Sequence, residues 1–285
     1  MDSSDFHQSA RKLRNLTEPL AAGVYFAPEA HQGYTALGLN YFEGYFSSRG
    51  ACLGRAPWSV IAAGFAAFKP AVVEQAITAA WSKSNPEELL AARERGATAQ
   101  LERLVGPIAK PAEVERATEL LLGLTKDIDP SGRALFAGLS ALDPPTTPFG
   151  ALWRAADLVR EHRGDGHIAA WIPHVDSTEI TVMTELAWDI PPRTYVFTRG
   201  WSEADVDDAY ERLTDRGLIA EGALTDAGAD LREQIEQATD RTTRTVIERL
   251  TPCRDELVAL LAPWSAAMVE GGGYPVSPKN LRVPG

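Results

Sequence analysis

Apolar residues recur at helical spacing along most of the chain. The pattern is clearest over residues 87–104, 112–124 and 229–261, where alanine, leucine, glutamate and arginine dominate. Asn85 followed by Pro86 reads as the start of the first of these helices. A further stretch sets Leu152, Trp153, Ala156 and Val159 on one face. It runs into Glu161-His162-Arg163-Gly164-Asp165-Gly166-His167, and an apolar run from Ile168 to Ile172 follows. The two glycines predict a tight turn joining two core helices. Asp143-Pro144-Pro145-Thr146-Thr147-Pro148 is a linker-type break. It predicts an N-terminal unit over residues 1–142 and a C-terminal unit over residues 149–285, both mainly α. Trp81-Ser82 and Trp201-Ser202 each precede a charged helix, and Ser48-Arg49-Gly50-Ala51 parallels His162-Arg163-Gly164-Asp165. These echoes leave an internal duplication open, and a duplication would set a pocket between the units.

The chain has 285 residues, 45% hydrophobic and 24% charged, the balance of a soluble globular protein. No run approaches the ~18 apolar residues that span a bilayer, and the N-terminus lacks the apolar core of a secretory signal. Cys52 and Cys253 lie far apart and form no framework, so reduced thiols in a cytoplasmic protein are expected. The net charge of −11 works against binding a phosphate backbone. The densest basic stretches, Arg11 to Arg14 and Arg241 to Arg244, are short.

The segment 161–167 holds two of the five histidines in a few residues. Folded as a turn, it would bring His162 and His167 toward one point, with Asp165 as a third ligand or an orienting group. A neutral histidine beside Asp165 or Glu161 is also a competent general base. His162, His167 and Asp165 are therefore the catalytic candidates. His31, Tyr45, Arg49, Arg163 and His174 are the ligand-binding candidates, because Tyr41, Phe42, Tyr45 and Phe46 sit at helical spacing and could wall an aromatic pocket. The competing structural reading has the glycines ending one helix, Asp165 capping the next, Arg163 pairing with an acid and the aromatics forming core. No nucleophile elbow, dinucleotide fingerprint or phosphate loop accompanies these residues. The sequence names no cofactor and leaves a metal and the reaction type open.

Residues 200–232 carry a family signal: Leu213, then Arg216-Gly217-Leu218, then Leu224-Thr225-Asp226-Ala227-Gly228. This resembles the MarR-type winged helix-turn-helix, in which a recognition helix, a hairpin wing and a long dimerisation helix follow in that order. Over most of its length the chain is similar to actinobacterial proteins of the SalK type. The similarity rests on Tyr25 to Glu29, Gly44-Tyr45-Phe46, Arg49-Gly50-Ala51, Leu53-Gly54, Asn85 to Glu88, Arg160 to His167, Arg199-Gly200-Trp201 and Thr239-Asp240. The resemblance implies a mainly α fold of two winged-helix-like helical units with small β-wings. The would-be recognition helix departs from the pattern. Residues 203–213 hold Glu203, Asp205, Asp207, Asp208 and Glu211 against Arg212 alone, and the short wing carries no base. Phosphate contacts supply much of DNA affinity, so DNA binding is expected to be lost.

The reading favoured is a winged-helix-derived protein that binds a small organic molecule between its halves, with turnover left open. A MarR-like ligand-responsive regulator is the alternative, and a structural module the third choice. No nucleic-acid or membrane partner is expected, and both monomer and homodimer remain open.

Overall fold

The computed structural model describes residues 3–275 and is mainly helical. The first half runs α1 Ser3–Ala22, α2 Pro28–Ala36, α3 Tyr41–Gly50, α4 Trp58–Gly64, α5 Pro70–Lys83, α6 Pro86–Leu104, α7 Pro111–Thr125 and α8 Ala134–Ser140. The second half runs α9 Pro148–Trp171, α10 Ser177–Ala187, α11 Glu203–Asp215, β1 Ile219–Ala220, β2 Ala223–Leu224, α12 Asp226–Thr242, α13 Arg244–Leu250 and α14 Arg254–Glu270. Local chemistry sets several of these starts. Asn85 and Glu88 form the capping box of α6, with Pro86 in the first turn. Ser202 with Asp205, and Asp176 with Glu179, do the same for α11 and α10. The helical pattern over 229–261 is not one helix. It breaks at Thr243 and again at Thr251–Cys253, a short 3-10 turn where Pro252 lacks the N–H of an α-helical hydrogen bond.

The expected turn at 161–167 is also helix. It lies inside α9, a 24-residue rod that packs against α1, α6, α7, α8 and α12. Each helical glycine costs about 1 kcal/mol relative to alanine, and burial on nearly every side outweighs that. Gly166 is there for clearance, because a Cβ would meet the Thr242 side chain and lie 2.9 Å from Arg133 Nη1. The glycines therefore neither end one helix nor begin another.

The largest apolar core takes Phe6, Leu20, Trp153, Ile247 and Trp264 among others, from both sides of the 143–148 break. A second core surrounds Phe46, Ile61, Ile77 and Phe136. A third lies under α10, α11 and the hairpin, with Val182, Met183, Val206, Leu213 and Ile235. The hairpin pairs Ile219 with Leu224 and Ala220 with Ala223. Its turn residues Glu221 and Gly222 both have positive φ, the geometry of a two-residue type I′ turn. No second hairpin occurs among the described residues, so the small wings expected of both units reduce to this one. The paired sequence echoes fall in unlike places: Ser48 to Gly50 closes α3, whereas His162 to Asp165 sits mid-helix. None of the described helices is long and apolar enough to cross a membrane.

Candidate functional site

A cavity of about 720 Å³ opens between α1, α9, α12, α13 and the segment that joins α10 to α11. Its polar wall is a stripe along α9: Arg160, Arg163, Gly164 and His167 recur at helical spacing, and His162 lies at the margin. Arg14, Arg49 and Arg232 face the same space, against Glu18 and Glu236. A smaller chamber of about 200 Å³ adjoins it, walled by Tyr25, Phe26, Tyr41, Tyr45, Phe68 and Arg199. Glu18, Arg160, Trp188, Tyr195 and Tyr274 line both spaces and form the neck between them.

Dense ion pairing fixes the floor. Glu161 is fully buried and accepts from Arg49 Nε and Nη2 at 2.7 Å each, and from Arg160 Nη1 at 2.7 Å. Burial alone would raise its pKa, but the Arg49 and Arg160 guanidiniums overcome that and hold it at about 2. Arg160 also reaches Glu18 at 3.2 Å, and its guanidinium lies over the Tyr25 ring. Arg163 Nη2 donates to Asp240 Oδ1 at 2.8 Å and Glu236 Oε2 at 3.2 Å. Arg232 Nη1 lies 2.8 Å from Glu236 Oε1 but off the line of a hydrogen bond, and its Nε is unpartnered. Glu236 is pulled down to about 2, its burial outweighed by Arg232 and Arg163.

Both α9 histidines are held neutral. Burial, aided by Arg133, lowers the pKa of His162 to about 4. Its Nδ1 is buried without a hydrogen-bond partner, and its ring meets Phe136 edge-on. His167 is lowered to about 4 by burial, with Glu236 opposing and Arg232 and Arg163 adding to the fall. Its Nδ1 lies 2.9 Å from Thr239 Oγ1. That hydroxyl donates to Ile235 O at 2.8 Å, so it accepts from Nδ1–H and leaves Nε2 as the acceptor.

The structure brings Arg49, Arg163, His162 and His167 to the larger chamber and Tyr45 to the smaller. It does not bring in the other three candidates. Asp165 accepts the free backbone N–H of Phe136 at 3.0 Å, so it caps α8 from across the interface instead of orienting a histidine. Burial raises its pKa to about 6. His31 bonds the Tyr25 carbonyl at 2.9 Å and packs edge-on against Tyr41. His174 lies past the end of α9, where its carbonyl accepts from Arg216. Residues five apart on a helix diverge by about 140°, so His162 and His167 cannot converge as a turn would have made them. Among the described residues no group of His, Cys, Asp and Glu suits a metal ion. Burial pushes the Cys52 thiol up to about 12, which removes it as a nucleophile. Sequence reasoning passed over Arg14, Arg232, Glu236, Trp188, Tyr195 and Tyr274.

The connection between α10 and α11 touches this cavity. Glu185 at the end of α10 accepts the backbone N–H groups of Arg193 at 3.0 Å and Val196 at 2.7 Å. It thereby shapes the loop that offers Trp188 and Tyr195 to the neck. The N-terminal end of α11 is docked on the first half. Trp201 Nε1 donates to Ala67 O at 3.1 Å, Lys69 N donates to Arg199 O at 2.9 Å, and Lys69 pairs with Asp205 at 2.5 Å. Arg212 is drawn back to Asp176 and Glu179.

The sequence pattern of a helix-turn-helix family matches residues 10–275, nearly the whole described chain, and the protein belongs to that family. No curated protein and no solved structure matches it.

Proposed function

We propose that this member of the helix-turn-helix family is MarR-like and of the SalK type, binds a small organic molecule in the two-chambered cavity, and has lost DNA binding. The observation that carries the reading is the cavity itself, walled by α9 arginines and bordered by the α10–α11 connection. Its combined size suits a drug-sized ligand held by apolar walls and a few polar groups. Two features support the loss of DNA binding. The N-terminal residues of a recognition helix normally meet base edges, and here that end bonds to residues 67–69. Glu203, Asp208 and Glu211 on α11 are exposed, while Arg212 is held in ion pairs. Any turnover would rest on His162 and His167, both proton acceptors at neutral pH. The protein would work in the cytoplasm, as a monomer or homodimer.

The test is an anisotropy titration with duplex DNA at low salt. No salt-sensitive binding tighter than about micromolar is expected, and such binding would overturn the reading. A ligand-responsive regulator is the second reading, favoured by Trp188 and Tyr195, which join the cavity to the helix-turn-helix.

A further inference from the structure

We infer that the cavity takes an elongated, multi-ring aromatic anion. Its anionic group would lie against Arg163 and Arg232, and its rings would pass the Arg160 neck into the aromatic chamber. This rests on the small-molecule reading above and adds the chemical class.

Charge comes first. Five arginines line the larger chamber: Arg14, Arg49, Arg160, Arg163 and Arg232. Against them stand Glu18 and Glu236 on the wall, with Glu161 and Asp240 directly behind, bonded to Arg49 and Arg163. The four carboxylates do not cover these five guanidiniums, Asp240 also serves Arg11, and Arg199 adds a further positive charge in the smaller chamber, so the cavity is cationic in a chain whose net charge is −11. An anionic ligand offsets that positive charge.

Hydrogen bonding places the excess. Arg232 has a side chain only 7% exposed, yet its Nε and Nη1 have no hydrogen-bond partner. Arg163 Nε is likewise unpartnered. These atoms are buried away from the chamber itself, but both side chains line it and share Glu236 on one wall, so two guanidiniums meet that carboxylate there. Neutral His167 beside them presents Nε2 as an acceptor, which suits a hydroxyl or N–H next to the anionic group.

Shape gives the rest. The smaller chamber is lined by aromatic faces, and Arg199 lies 4.7 Å over Phe68 and 4.1 Å over Tyr195. Planar rings slot between such faces. A single ring would fill one chamber and leave the other empty, whereas the shared neck makes the two spaces one path.

The probes are 8-anilinonaphthalene-1-sulfonate and N-phenyl-1-naphthylamine, which share their ring systems and differ by the sulfonate. Titrations use the full chain, followed by fluorescence and calorimetry. The sulfonate is expected to bind one-to-one and at least about tenfold tighter than the amine. Arg232→Gln should weaken the sulfonate about tenfold and leave the amine unchanged. Gly164 lines the chamber, and a Cβ there would meet only Glu161 Oε2 at 3.5 Å. Gly164→Leu should therefore fill the space, keep the fold and block both probes. Equal affinities that Gly164→Leu abolishes would reject the anionic class and keep the small-molecule cavity. Binding untouched by Gly164→Leu in a natively folded protein would overturn both. If Arg232→Gln fails to fold, the ratio of the two probes on the parent chain still decides the charge.

Discussion

The α9 histidines carry the acid response of the protein. His162 and His167 titrate near 4 when folded, below the ordinary 6.5, so the unfolded chain takes up their protons first. Stability contributed by their neutral forms is full above pH 6.5 and falls as pH drops toward 4. Asp165 acts in the opposite sense. Its folded pKa of about 6 lies above the ordinary 3.8, so its contribution is present below 3.8 and lost as pH rises through 6. Two histidines outweigh one aspartate, and net stability should decline from neutral pH to pH 5. His162→Gln should flatten that decline, by at most about 2 kcal/mol between pH 6.5 and pH 5 given 1.36 kcal/mol per pKa unit. Urea midpoints near pH 7.5 and near pH 5 measure it; an unchanged difference between the two would reject the assignment. The chemistry of these residues was legible in the sequence, but their arrangement was not. Reading Gly164 and Gly166 as breakers folded the segment into a turn and hid the Arg160, Arg163, His167 stripe. Once α9 is continuous, that stripe follows from helical spacing alone.

Among the elements, α9 and the α10–α11 connection decide the site. Gly164 and Gly166 are two residues apart and face different neighbours. Alanine at 166 collides with Thr242 and Arg133, so Gly166→Ala should cost roughly 1–3 kcal/mol as an overpacking change. Alanine at 164 has room, and Gly164→Ala should be neutral or gain up to about 1 kcal/mol in helix propensity. Thermal melts should thus move in opposite directions or differ by several degrees; coincident curves would contradict the packing. In the connection, Glu185→Ala removes the acceptor for Arg193 and Val196. Orphaning those groups should cost about 1–3 kcal/mol and open residues 188–200 to limited proteolysis before the rest of the chain. The sequence showed α11, the short wing and the start of α12 well, because caps and turn chemistry are local. It gave no sign that the α10–α11 loop walls a cavity, since Trp188 and Tyr195 meet Glu18 and Tyr274 only through the tertiary fold.

At the scale of the molecule, the head of α11 is docked on the first half. Lys69, Ala67 and Val72 of the first half hold Asp205, Trp201 and Gly200 at the head of α11. Lys69→Glu should repel Asp205 and loosen that dock. A rise in hydrogen exchange at residues 198–206, with the rest of the protein unchanged, is the expected reading; uniform exchange would show that the contact does not hold α11. Distant pairings such as these were the least legible part of the sequence, because neither partner carries a local signature. The contact of α1 with α14 has a consequence of another kind. Ser265 Oγ bonds Leu16 O, and Trp264 is buried in the same core as Leu20 and Trp153. During synthesis α1 emerges well before α14, and until α14 leaves the ribosome it has only part of its packing surface. The nascent chain must keep the apolar face of α1 from aggregating while the helices between α1 and α14 are made, a burden that falls on chaperones and on the rate of elongation.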